Sequence, residues 1–587
     1  MHRTLYRLMT VAALAGTALV VPTAAHAVTC TTTPRLAGSF IQPALADGWT
    51  NTQLANEYTY LTNACMTTQV IQWTADSKHH TATYSTGLSG YTKSTATEVP
   101  DRILSKAETA GVNVYVGLQI NDDWWTNYAD NATWLANEAT LAENLADELW
   151  SNYGPYDSFA GWYLPFEADN LHFQTTAQQD ALAGFYADVI GHLHTLSPGL
   201  PVVTSPFYNA NLTGTLDPTG WQSMWTRILG TAPIDAIALQ DGVGAGHATS
   251  TQLASWFSAT KNAITAARPA TLLYDDVETF VLGASGFQPM PIKDVVTDMA
   301  AVSSYVSGYW AFSYDHYQSP LAPYSTYYDA TYRNYLTNGV VETTVPGTPT
   351  SLAATATNSQ TVSLTWTAPT DNIGVAGYNI YRGGDLVATK HGSATGFTDQ
   401  QLDGSTAYSY TVKAFDGAGN LSAAATTANV TTPAAPVYST NWAAGKTYTS
   451  SIAANASYPD TGGVELTDGV KATGPFYGAP WQGRNAVGSY TFVIDLGTSR
   501  TINSLTSSWL QVRPDYVFLP TSVKYEVSAT GSSYTTAGTV TLPAVNSVNQ
   551  IKNYKLISLS LTGRYVRVTV DGGSAWSMLD EIEVRAV

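Results

Sequence analysis

Charge is scarce in this chain: Asp, Glu, Lys and Arg make up only 12% of its 587 residues, against about a quarter in an average globular protein. What charge exists leans acidic, with 44 Asp and Glu against 26 Lys and Arg and a formal balance of -18. Too few cations remain to cluster against phosphates, which argues against a nucleic-acid partner. Cysteine is scarcer still, with only Cys30 and Cys65. No His, Asp and Cys spacing meets the needs of a zinc site, and the adjacent His79 and His80 would not face one metal. There is no G-x-S-x-G elbow to raise a serine nucleophile. Past the N-terminus no apolar run approaches the roughly 20 residues needed to span a bilayer, so membrane insertion is not expected.

Residues 1–27 begin with His2, Arg3 and Arg7, continue through the apolar run Leu8 to Val21, and end on the small-residue sequence "AHA". That order predicts a signal peptide and a secreted, extracellular protein. Thr29 stands before Cys30 where a lipoprotein anchor would have Gly, Ala or Ser. In an exported chain the two cysteines are expected to bridge, tying the mature N-terminus to the first helix. Aromatic residues are plentiful: 16 Trp, 36 Tyr and 15 Phe. Flat rings with a polar edge suit sugar faces and β-sandwich cores alike.

A chain of this length should divide into several domains. Two Pro/Thr-rich breaks, "VETTVPGTPTS" from Val341 and "TTPAAPVYST" from Thr431, set the expected boundaries: a first domain at 28–340, a second at 345–433 and a third at 437–587. The middle segment alternates in the strand manner ("TVSLTWTAP", "GYNIYRGGDLVAT", "AYSYTVKAFDGAGN"). It resembles a fibronectin type III domain, with Trp366, Tyr381 and Tyr410 at positions which that family packs inside; it carries no carboxylate pair and reads as a spacer. The last segment, through "GGVELTDG", "SYTFVIDLGTSRTINSLTSSW" and "GRYVRVTVDGGSAWSMLDEIEV", resembles the discoidin-like jelly roll of coagulation factor type C domains and many carbohydrate-binding modules. The resemblance implies a calcium ion held by Asp468 and Glu581. Val470 and Lys471 depart from the acidic or amide residue common in that loop, and Asp468 before Gly469 also reads as a turn cap. Trp509, Tyr516, Phe518 and Trp576 fall in or near loops where they could stack on a sugar.

In the first domain apolar strands alternate with amphipathic helices. Strand candidates begin near Gly38, Gln69, Asn113, Gly161, Pro201, Ile234, Thr271 and Ser307, which predicts a (β/α)8 TIM barrel. The active site of that fold lies at the C-terminal mouth of the strands. Four strands close on an amide there: Gln42, Gln72, Gln119 and Gln240. Two reach carboxylates: Glu167 after strand four, and Asp275, Asp276 and Glu278 along strand seven. Trp73, Trp124, Trp310 and Tyr314 stand nearby, and amides among rings suit a polyol ligand. Alternation places Tyr163, Pro165 and Glu167 on one face of strand four, and Tyr274, Asp276 and Glu278 together on strand seven, with Asp275 opposed.

Two carboxyl groups are what glycoside hydrolysis needs. The layout resembles clan A glycoside hydrolases, which implies a retaining mechanism with Glu167 as acid/base and Glu278 as nucleophile. Phe166 stands where that clan usually has Asn. "GSFIQ", "GWYLPFEAD" and "FSYDHYQSP" also resemble a family of secreted bacterial barrels labelled as a domain of unknown function and regarded as glycosidase-like. Competing readings stay open. Glu167 could pair with Arg227 or Arg268 and hold the rim; Asp241 before "GVGAG" could be a turn residue; and His172 and His316 could be loop hydrogen-bonders or ligands. The expected protein is therefore a secreted, monomeric glycoside hydrolase of a polysaccharide or glycan, without a catalytic cofactor. The alternatives are a non-catalytic carbohydrate-binding or adhesion protein, and an inverting hydrolase with Asp241 or Asp276 as base.

Overall fold

The computed structural model of the chain describes residues 30–587 apart from 284–285, 461, 475–479, 486–487, 513–516, 542–548 and 573–575. The expected signal segment and Tyr516 lie outside the described residues.

Eight parallel strands close into a barrel in sequence order: β1 (Leu36–Ile41), β2 (Thr68–Ile71), β3 (Asn113–Gly117), β4 (Phe159–Leu164), β5 (Val202–Thr204), β6 (Ala236–Gln240), β7 (Leu272–Glu278) and β8 (Gly308–Phe312). A helix follows each: α1 (Asn51–Asn63), α2 (Val99–Ala110), α3 (Ala132–Tyr153), α4 (Thr176–Leu196), α5 (Pro218–Leu229), α6 (Leu253–Ala267), α7 (Ile292–Val302) and α8 (Tyr327–Asn338). Their starts are written locally. Thr50 with Gln53, and Thr175 with Gln178, form reciprocal capping boxes at α1 and α4, each satisfying donors the first turn leaves open. Asp217 caps α5 ahead of Pro218. Cys30 and Cys65 are bridged, which clips the segment before β1 to the residue just past α1 and contributes about 3 to 4 kcal/mol by restricting the unfolded chain.

Strand alternation divides the barrel into two packed layers. Phe40, Val70, Tyr163, Val203, Ala236, Ala238 and Trp310 fill the interior, with Tyr274 stacked on Trp310 at 4.6 Å and Phe40 edge-on to Tyr163 at 5.3 Å. Trp162, Leu164, Phe166, Leu273 and Val277 point the other way, into the core shared with the helices. The interior rings close the barrel below its mouth and leave the strand ends as the floor of any site.

Residues 347–430 form a sandwich of a three-stranded and a four-stranded sheet. Trp366 and Tyr410 are in its core as expected, but Tyr381 is not; Tyr378 and Ile380 point inward on the strand Val375–Arg382, and the alternation turns Tyr381 outward under Lys413. The last domain packs two five-stranded antiparallel sheets around Phe492, Trp509 and Tyr525. Trp509 is a core residue there, fully buried with its indole N–H donated to Ser507 Oγ, and so presents no face to a sugar. Among the described residues no helix is long and apolar enough to cross a membrane.

Candidate active site

At the C-terminal mouth one cavity of about 30 Å³ receives Glu167 from beyond β4 and both Asp276 and Glu278 from the end of β7. Gln72, Ser205 and Gln240 complete its polar lining, and Phe40, Tyr163, Phe280 and Phe312 wall it. The volume suits about two water molecules. Glu167 is 5% and Glu278 4% exposed, so both carboxyls are withdrawn from bulk solvent. Parity placed these three side chains correctly: Asp275, one residue out of phase, is wholly buried in the helix-facing layer.

The neighbourhood of Glu278 is built by the loop after β6. Ala245 donates its backbone N–H to Glu278 Oε2 at 2.6 Å. Gly244 makes this possible, since a Cβ there would lie 2.1 Å from the Phe280 carbonyl oxygen and 3.0 Å from Glu278 Cβ. Burial raises the Glu278 carboxyl, the N–H donors of Ala245 and Gly244 oppose it, and the Asp276 and Glu167 carboxylates add to the rise, leaving it at about 8. Asp276 is also held well above the usual carboxylate range, chiefly by burial; its Oδ2 accepts from Ser205 Oγ at 2.8 Å, and its Oδ1 has no hydrogen-bond partner among the described residues.

Asp241 does not line the cavity. Its Oδ1 accepts from Val243 N–H at 3.0 Å and from Glu278 N–H at 3.4 Å, and its own N–H is donated to the Asp276 carbonyl at 3.2 Å. It is a wholly buried turn residue that splints the β6 loop to β7 and stands outside the cavity lining, so of the two candidate inverting bases Asp276 and not Asp241 is the one in the cavity. Gln240 lines the cavity and donates to the Ser205 carbonyl at 2.9 Å. Gln42 is buried at the end of β1, where it precedes the short helix Pro43–Gly48.

Four other residues placed at the mouth by sequence serve as supports, and for these the ligand-binding role is corrected. Gln119 is turned outward, donating to the Glu138 carbonyl at 2.8 Å. Trp124 is buried and donates its indole N–H to the Glu167 carbonyl at 3.0 Å, fixing the backbone that carries the carboxyl. Trp310 lies in the barrel interior. Tyr314 is wholly buried and donates to Asp329 Oδ1 at 2.8 Å. Trp73 is half-buried just past Gln72 and outside the cavity lining. His172 pairs with Asp169 at 2.8 Å, and His316 with Ser313 Oγ at 2.6 Å, which makes both loop hydrogen-bonders. Arg227 is spent on Asp180 at the surface rather than on Glu167. Sequence reasoning missed Ser205, Phe280, Phe312 and the Ala245 N–H. The glycines of "GVGAG" were the one signal for the last, because a loop of that composition can press its backbone against a neighbour.

In the C-terminal domain Glu581 Oε2 accepts from Gly469 N–H at 3.1 Å and Asp468 Oδ1 from Val470 N–H at 2.7 Å. Burial raises the Glu581 carboxyl to about 8. Lys471 pairs with Glu583 at 3.0 Å beside them. Among the described residues no group of three or more His, Cys, Asp or Glu could hold a metal ion.

Residues 36–324 match the family described as "Domain of unknown function (DUF4434)", and residues 347–430 match the fibronectin type III domain. An α-amylase of Niallia circulans is 48% identical over 95 residues, 16% of this chain and 7% of the amylase. Chitinase A1 of the same organism is 38% identical over 134 residues, 23% of this chain and 19% of the chitinase. The chain thus spans less than a fifth of these relatives, and the matches fall mainly on accessory domains. A solved candidate α-L-fucosidase of Bacteroides thetaiotaomicron covers 54% of this chain and 94% of its own, at 19% identity and a TM-score of 0.42.

Proposed function

We propose that the chain is a secreted glycoside hydrolase acting on a polysaccharide or glycan, with Glu167 and Glu278 as its reacting carboxyl pair. One observation carries this reading: two glutamates from opposite sides of the barrel, β4 and β7, enter one buried cavity lined by amides. A retaining mechanism needs one proton on such a pair at working pH. Interacting carboxyls take up that proton as a pair, and the Glu278 carboxyl, raised to about 8 by burial with Asp276 and Glu167 adding to the rise, lets the pair keep one proton at neutral pH. The Ala245 N–H stabilises negative charge on Glu278 Oε2. On the clan A layout Glu278 is the nucleophile, and Glu167 passes the proton to the leaving oxygen and later recovers it from water. The cavity has room for the reacting atoms and a water, while the sugar ring rests above it against Phe280 and Phe312. Asp276, which lines the same cavity with Oδ1 unbonded among the described residues, supports the second reading, an inverting hydrolase in which it activates the water.

The C-terminal domain enters this proposal as a discoidin-like carbohydrate-binding jelly roll that keeps the barrel near its substrate. Its calcium would be held by Asp468 and by the buried Glu581 Oε1, which has no hydrogen-bond partner among the described residues, with backbone carbonyls completing the shell. Screening the secreted protein against a glycan panel, with Glu167→Gln and Glu278→Gln in parallel, tests the hydrolase reading. Hydrolysis by the native chain and its loss in both variants is the expected result; glycan binding without turnover in the native chain would reduce the protein to a binding module.

A further inference from the structure

The fibronectin type III module looks like a spacer in sequence, yet its contact with the barrel is tight. Ile292 at the start of α7 donates its N–H to the Gly417 carbonyl at 3.0 Å, and Lys293 Nζ reaches the Gly419 carbonyl at 3.2 Å. A Cβ on Gly417 would stand 2.5 Å from Thr331 Oγ1 and 2.6 Å from the Tyr327 carbonyl of α8. A Cβ on Gly419 would meet Pro291 at 2.7 Å. Tyr328, Ala376 and Phe415 form a buried apolar cluster across the boundary, with Tyr324 packed against it.

From that boundary a run of rings leads back to the cavity. His391 of the module lies against Phe415 at 5.5 Å, accepts or donates a bond with Tyr328 OH at 3.2 Å, and meets Tyr324 edge-on at 5.1 Å. Tyr324 stacks on Tyr317 at 6.2 Å, and Tyr317 lies 5.4 Å from Phe280, a wall of the cavity two residues past Glu278. A second path runs through the hairpin after β7: Tyr324 OH donates to the Phe287 carbonyl at 2.9 Å, and Phe287 packs edge-on against Phe280 at 4.7 Å. The hairpin and its exit into α7 are thus held between the cavity on one side and the module on the other.

We infer that the fibronectin type III module is a positioning element of the site, an outer brace that fixes Phe280 over Glu278 through Tyr324 and His391. Domains joined by small polar contacts move freely by default; this boundary, with glycine backbone pressed on a helix and rings continuous across it, is built for the opposite. The inference deepens the hydrolase reading and rests on the same cavity, but its physical content can be read without a substrate.

The test uses the full chain and hydrogen exchange followed by mass spectrometry. Gly417→Ala sets a methyl against the Tyr327 carbonyl, and His391→Ala removes the bridging ring without touching backbone. Both lie in the module and outside the cavity lining. Each variant is expected to speed exchange at Ile292, whose partner is Gly417, and also at Thr279 and Leu282, whose N–H groups go to the Phe312 and Gly244 carbonyls, by at least tenfold, while β1 to β5 are unchanged. Faster exchange at Ile292 with Thr279 and Leu282 unaltered would overturn the brace and return the module to a spacer; so would full protection of Ile292 in both variants. Should Gly417→Ala not fold, His391→Ala decides alone. Where a cleaved substrate is in hand, both variants should lower kcat with little change in KM and move the alkaline limb of the pH profile to lower pH, as water reaches Glu278. Faster exchange at Thr279 and Leu282 in a chain that hydrolyses nothing would uphold the brace and remove the hydrolase reading.

Discussion

Glu278 in the barrel and Glu581 in the C-terminal domain have much in common. Both are buried, both accept a backbone N–H from a glycine-bearing loop, and both are pushed up to about 8 by burial. They differ in what lies beyond the carboxyl. Glu278 shares a small buried cavity with Glu167, Asp276 and two amides, whereas Glu581 abuts a turn and the Lys471–Glu583 ion pair. A raised carboxyl therefore marks desolvation and not catalysis, and what distinguishes the two is a second carboxyl across a space that reacting atoms can enter.

Neutralising the two glutamates in turn should separate them most strongly. Glu278→Gln should cut kcat/KM by at least about 10³-fold, and Glu167→Gln by about 10² to 10⁴-fold, while Glu581→Gln leaves hydrolysis within about twofold and abolishes any thermal shift with calcium; steady-state kinetics and thermal melts with and without EDTA read these. Next in size is the pH dependence. With the pair's proton held up to about 8, kcat/KM should fall tenfold per pH unit above that value, since the proton donor is then lost.

Stability gives a smaller effect. The folded Glu278 carboxyl lies at about 8 against an ordinary value of 4.5. Its contribution is therefore complete below about pH 4.5 and lost as pH rises through 8. Glu278→Gln should consequently stabilise the fold at pH 9 by on the order of 3 kcal/mol and leave it unchanged at pH 4, as denaturant melts at the two pH values would report. Glu581→Gln should shift the C-terminal domain in the same direction, since its carboxyl is likewise raised from 4.5 to about 8 by burial. Smallest of all, Asp276→Asn should lower kcat by about tenfold while keeping the Ser205 hydrogen bond, unless the inverting reading holds, in which case the loss matches that of Glu278→Gln.

The barrel was legible because its information is local. Apolar runs of strand length alternate with capped amphipathic stretches, and alternation then fixes which side chains face inward; from Tyr274 to Glu278 that rule held along β7, and Glu167 also reached the cavity although β4 ends three residues before it, at Leu164. It failed where strands end and the chain turns. Gln119 and Tyr314 lie past their strands, so parity no longer governed them, and each found a buried partner in the helix layer, Glu138 and Asp329. Trp124 read as a sugar platform because a ring near a mouth looks alike whether it faces a ligand or props a backbone. Asp241 and Asp276 were indistinguishable as bases until the fold put one in the cavity and the other behind it. Long-range partners such as Ala245 to Glu278, or His391 to Tyr324, depend on which loops meet, and no periodicity in the chain encodes that.

In the proposed mechanism Glu278 attacks the sugar and Glu167 supplies the proton. Azide rescue of Glu278→Ala tests it most directly: adding azide to the inactive variant should restore turnover and yield a glycosyl azide whose anomeric configuration, read by NMR, is opposite to that of the substrate. Undiminished hydrolysis by Glu278→Ala without azide would contradict the account, and so would a native first product of inverted configuration.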